Sequence, residues 1–177
     1  MKSTYAIILT IAPALISLPG CGTGSTTESQ PSHTANHVDG TQFLLDEEPD
    51  GAVGVIAARE SAEDGAPLVL VGRIGGSANP WIEGRAAFTL LDASMTVVAE
   101  GEDSTDGQIC TGDCCATERL ACTTLVKIVD ANGQVVPVDS RKLLGLKDSD
   151  MVVVQGTAKK DKTGNFSILV NRVYVRN

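Results

Sequence analysis

Cysteine is the one chemically reactive residue type that clusters in this sequence: Cys110, Cys114, Cys115 and Cys122 lie within Ile109–Cys122, and only Cys21 stands elsewhere. The spacing is C-x3-C-C-x6-C. A structural zinc site favours paired C-x2-C turns, in which two thiolates face one ion, and neither half of this cluster has one. The C-x-x-C of thioredoxin-like redox centres is also missing. In an oxidising compartment, two disulfides are the expected state. The pairings are Cys110 with Cys114 and Cys115 with Cys122, or Cys110 with Cys115 and Cys114 with Cys122, or Cys110 with Cys122 and a vicinal Cys114–Cys115 bond. A metal-handling or redox protein using all four sulfurs is the alternative reading.

Other routes to catalysis are poorly supplied. The two histidines, His33 and His37, are four apart in Pro31–His37, where nothing supports a helix that would bring the imidazoles together. A Ser-His-Asp or Cys-His arrangement would have to recruit its base from that segment. Gly72, Gly75 and Gly76 fit neither a dinucleotide nor a P-loop fingerprint, and no helix of the required length follows them. The expectation is a non-catalytic protein without a cofactor.

The compartment is read from the first residues. Met1-Lys2-Ser3-Thr4 precedes an apolar run from Tyr5 to Leu18, interrupted by Thr10, Pro13 and Ser17, and then Leu18-Pro19-Gly20-Cys21. A basic start, a short apolar segment and small residues make an export signal, since a membrane span needs about 20 apolar residues. Leu18 to Cys21 resembles the lipobox of bacterial lipoproteins, with Pro19 standing where that family usually has Ala or Ser. The resemblance implies a signal peptide over 1–20, lipidation of Cys21, and a location in the bacterial cell envelope. The chain would be lipid-anchored at the periplasmic or outer face. Assigning Cys21 to lipid leaves an even number of cysteines for the cluster.

From Gly22 to Gly65 the chain is rich in Ser, Thr, Gly and acids, with nine acids and one base, Arg59. Such a segment buries too little apolar surface to offset its ordering entropy. It reads as a flexible acidic linker over 21–65, with Phe43–Leu45 and Ala52–Ala58 as apolar stretches able to dock as a short strand or helix. Residues 66–177 hold twelve bases and thirteen acids, so most of the net charge of −8 belongs to the linker.

Over 66–177 the hydrophobic period is mostly two, with β-branched runs and turn signals, which predicts strands. Pro67–Ile74 is apolar on both faces, and Arg85–Leu91 follows it. Leu91–Val98 and Val129–Val136 echo each other: each has Asp-Ala, a turn and Val-Val. Asn132-Gly133 is a strong hairpin signal. Asp139–Gly145 offers an N-cap, one short helical turn and a glycine stop. Met151–Ala158 and Phe166–Val175 are the last strands. In the latter, Phe166, Ile168 and Val170 share one face while Val173 and Val175 fall on the other, so a bulge near Asn171 is expected.

Three strands, a short helix and two strands resemble the OB-fold, a five-stranded Greek-key barrel. The all-β expectation is therefore a small OB-like barrel with one short helix and an inserted cysteine loop at about 99–122; a small β-sandwich is the competing architecture. The resemblance implies a ligand face on the second and third strands, flanked by Ser77–Trp81 and Lys159–Gly164. Trp81 with Lys159, Lys160 and Lys162 would then grip a small anionic or sugar ligand. The plainer reading has Trp81 capping the barrel and the lysines solubilising an edge. The expected partners are the membrane, through the lipid, and an envelope protein or small anionic ligand. Nucleic acid is disfavoured, because stacking platforms need exposed aromatics on a basic groove.

Overall fold

A computed structural model describes residues 38–98, 106–110, 112 and 115–176. The expected export signal, Cys21, His33, His37, Cys114 and the part of the expected linker before Val38 lie outside the described residues.

Strands β1 (Val53–Gly54), β2 (Pro67–Ile74), β3 (Ala87–Asp92), β4 (Thr96–Val98), β5 (Gln108–Cys110), β6 (Thr123–Ile128), β7 (Met151–Lys160) and β8 (Phe166–Arg176) alternate with three short helices, α1 (Val55–Ser61), α2 (Ala116–Cys122) and α3 (Ser140–Leu144). The main sheet runs β2-β3-β6-β8-β7, and β7 pairs back onto β2, which closes a five-stranded barrel. All barrel pairs are antiparallel except β6–β8, which is parallel. Three meandering strands, a helix between the third and fourth, and a fifth strand parallel to the third make the OB-like barrel the sequence pattern suggests.

The period-two pattern turns one residue in two into the barrel. Leu70 and Ile74 of β2, Phe88 and Leu90 of β3, Val126 and Ile128 of β6, Val152 and Val154 of β7, and Ile168 and Val170 of β8 are each at most 1% exposed. Gln155 pairs with Arg172 but Gly156 pairs with Val170, so Asn171 is the extra residue of a bulge at the expected place. The bulge puts Val173 back on the buried face. Gly156 sits against the Leu169 carbonyl, where a Cβ would collide with backbone.

The expected linker boundary at 65 is corrected by residues 38–65, which belong to the ordered unit. Phe43, Val55 and Ala58 enter the main core, Leu45 N donates to the Val173 carbonyl at 2.8 Å, and Glu48 accepts from Arg176 Nε at 2.9 Å. β1 adds to β2 in parallel. Composition misled here because a few apolar residues, spaced among acids, are enough to dock a strap onto an existing sheet.

That strap is fixed by a long-range cap. Gly54 precedes α1 and has no side chain to satisfy its first N–H groups. Asp92 of β3 reaches across instead: Oδ2 accepts from Ile56 N at 2.9 Å, while Oδ1 accepts from Ser94 N and Ser94 Oγ at 2.9 and 2.6 Å. A Cβ at position 54 would lie 2.6 Å from Oδ2, so glycine there makes room for the carboxylate. Asp130 makes the same local turn, accepting from Asn132 N and Gln134 N. Shared turn chemistry thus accounts for the echo between the two Asp-Ala segments.

Candidate functional site

Outward-facing residues of the barrel wall line up by register. Thr89 of β3 pairs with Leu125 of β6, Leu125 with Ser167 of β8, and Ser167 with Lys159 of β7. Each alternates with a buried neighbour, so the row crosses four strands on the outside of the barrel, over roughly 14 Å at the usual strand spacing. Together with Lys127, two residues further along β6, it floors a cleft of about 750 Å³. Arg59 of α1, Leu120 of α2 and the β7–β8 hairpin form its walls.

The rim is held by committed groups. Arg59 donates to the Thr123 carbonyl at 3.1 Å and lies 5.7 Å over the Phe166 ring. Lys160 Nζ donates to the Arg59 carbonyl at 2.8 Å, and its backbone N–H donates to Asp64. Lys159 stands 3.8 Å from Asp64, both exposed. Asp161 organises the hairpin turn, accepting from Thr163 N, Thr163 Oγ1, Asn165 N and Asn165 Nδ2 at 2.6–3.0 Å. These bonds, first those from the Thr163 and Asn165 side chains, hold its carboxyl down at about 2.

Lys159 and Lys160 line the cleft, whereas Lys162 lies at the exposed hairpin tip outside its lining. Trp81 does not join them. It is 6% exposed and part of the main core. Its ring is 6.0 Å from Phe88, its Nε1 donates to Asp148 Oδ1 at 2.6 Å, and the Arg141 guanidinium lies 5.4 Å over it. An indole buried with its N–H satisfied is a packing residue, which matches the plainer reading and withdraws Trp81 from a ligand role. Sequence reasoning missed Thr89, Leu125, Lys127 and Ser167, whose signal is their outward position in period-two strands. Arg59 and Leu120 carried no signal, since they come from the segments read as linker and insertion.

The insertion is anchored beside this face. β4 and β5 form a small parallel pair, and Leu91, Ile109 and Cys122 make a second apolar cluster against which Ile56, Met95 and Cys115 pack. Cys110 and Cys115 are disulfide-bonded, with Cα atoms 5.9 Å apart. Arg119 of α2 donates to the carbonyls of Cys110 and Gly112. Cys122 departs from the expected second disulfide: it is a free, buried thiol whose Sγ–H donates to the Glu118 and Arg119 carbonyls. Burial pushes its pKa up, keeping it protonated and unreactive. The Cys110–Cys115 bond also withdraws two sulfurs from the four-thiolate set that the metal alternative requires.

No protein-family profile and no curated protein matches this sequence.

Proposed function

We propose that the chain is a membrane-tethered, extracytoplasmic lipoprotein whose OB-like barrel is a non-catalytic binding domain. The observation that carries the binding half is the cleft on the outer β3–β6–β8–β7 wall, floored by Thr89, Leu125, Lys127 and Ser167 and rimmed by cations. It offers hydroxyls, amides, lysines and an apolar floor, which suit reversible recognition. Among the described lining residues there is no histidine or cysteine, and Arg59, Asp64 and Asp161 are held by hydrogen bonds, so no hydroxyl there is paired with an imidazole base. The tethering half rests on Leu18-Pro19-Gly20-Cys21 and the export signal before it.

Two measurements on full-length protein extracted from membranes test this reading. Intact mass should give a chain that begins at Cys21 and carries an acyl increment; a chain without that increment, beginning elsewhere, contradicts the anchor. Ser167→Glu places a bulky negative charge in the middle of the face, beside its lysines, without entering the core. It should abolish binding of whichever anionic ligand or envelope protein the wild-type chain retains, with an unchanged melting temperature. Undiminished binding by that folded variant contradicts the site.

A further inference from the structure

Within this cleft the charges are unequal in availability as well as in number. Asp161 spends both carboxylate oxygens inside its own turn, and Asp64 caps the Lys160 N–H. Arg59 and Lys160 are bonded to backbone carbonyls. The Lys127 side chain has no hydrogen bond or ion pair among the described residues, and that of Lys159 has only the exposed 3.8 Å pair with Asp64. The cleft thus presents two available ammonium groups, one from β6 and one from β7, on either side of the β8 strand that carries Ser167.

The same lining carries an apolar spot. Leu120 is 64% exposed, the most exposed of the large hydrophobic residues among those described, and it shares the cleft lining with Leu125. An exposed leucine projecting from a helix anchored by Arg119 and the Cys110–Cys115 bond is a fixed apolar wall. Phe166, the only ring among the described lining residues, is 5% exposed and covered by Arg59, so those residues offer no platform for stacking a base or a sugar ring. The available cations are lysines, compact point charges that accept a carboxylate in many orientations, and the exposed Leu120 beside them favours a ligand that also carries an apolar group.

Resting on the binding reading above, we infer that the occupant is an acidic peptide segment of a partner protein, with one apolar side chain seated between Leu120 and Leu125 and carboxylates meeting Lys127 and Lys159. The hydroxyls of Thr89 and Ser167 then face its main chain. Charge selects the segment, and the leucine pair sets its register.

The test is fluorescence anisotropy of a fluorescein-labelled peptide in which Glu residues flank a single central Leu, titrated with the full-length protein at low and physiological salt. Binding should weaken as salt is added. Lys127→Ala and Lys159→Ala should each weaken it about fivefold, the scale of an exposed charge pair. Leu120→Ala should weaken it about as much, and replacing the peptide's Leu by Gly should erase the Leu120 effect. Equal binding of the Leu and Gly peptides overturns the proposal, because recognition is then charge alone. If pyrophosphate or an oligothymidylate binds and Lys127→Ala weakens it while the peptide does not bind, the ligand class is wrong although the cleft stands. If peptide, pyrophosphate and oligothymidylate all fail to respond to Lys127→Ala, both the ligand class and the cleft fall.

Discussion

Asp92 shows how one side chain joins sequence-distant parts of this protein. It is 5% exposed, yet both its oxygens are occupied, by the first turn of α1 and by Ser94. Burial raises its pKa, but the bonds from Ser94, Ile56 and Val55 outweigh that and lower it overall. A carboxyl with a depressed folded pKa stabilises above its unfolded value and loses that contribution as pH falls through the folded one. Urea midpoints should therefore be level above about pH 5 and decline below the ordinary aspartate range, and Asp92→Ala should flatten the Asp92 share of that decline. At neutral pH the same variant should cost about 1–2 kcal/mol, the scale of a lost helix cap. An unchanged midpoint contradicts the cap. Asp92 was legible in the sequence only as a turn residue. Its second role depends on a helix 36 positions away, a separation that no local pattern encodes.

At the scale of elements, the strands, the bulge at Asn171 and the short α3 were readable because each is specified locally, by period two, a broken register, or an Asp N-cap with a glycine stop. The strap before β2 was readable only as two apolar stretches able to dock, and the small sheet of β4 and β5 was not readable, because both hold their shape only by packing on a barrel built from other residues. The insertion likewise owes its order to tertiary contacts and one cross-link. Opening Cys110–Cys115, by reduction or as Cys115→Ser, should cost about 2 kcal/mol on loop-entropy grounds. Hydrogen exchange should show the loss in α2 and β5 while β7 and β8 keep their protection. Cys122 should resist alkylation in the folded protein and react once it is unfolded. Rapid alkylation of Cys122 under native conditions would contradict the buried cluster it shares with Leu91 and Ile109.

At the scale of the whole molecule, the barrel is a rigid wall on which two separately derived pieces, the strap with Arg59 and the insertion with Leu120, converge around one outer face. Cysteine clustering draws attention first, but those residues act as supports: one bond and one buried thiol fix α2, which carries a wall of the cleft. Two of the four ligand residues expected from the OB resemblance, Lys159 and Lys160, lie at the cleft, because the topology places the last hairpin beside the second and third strands. Trp81 does not, because its size and satisfied N–H suit it to the core. The most direct test of the outer face as the binding surface is amide chemical-shift mapping of the full-length protein during titration with the Glu-Leu-Glu-type peptide. Shifts should concentrate at Thr89, Leu125, Lys127, Ser167 and Lys159 and leave Trp81, Arg141 and Glu83 unmoved. Shifts centred on Trp81 and Arg141, or none at saturating peptide, would contradict it.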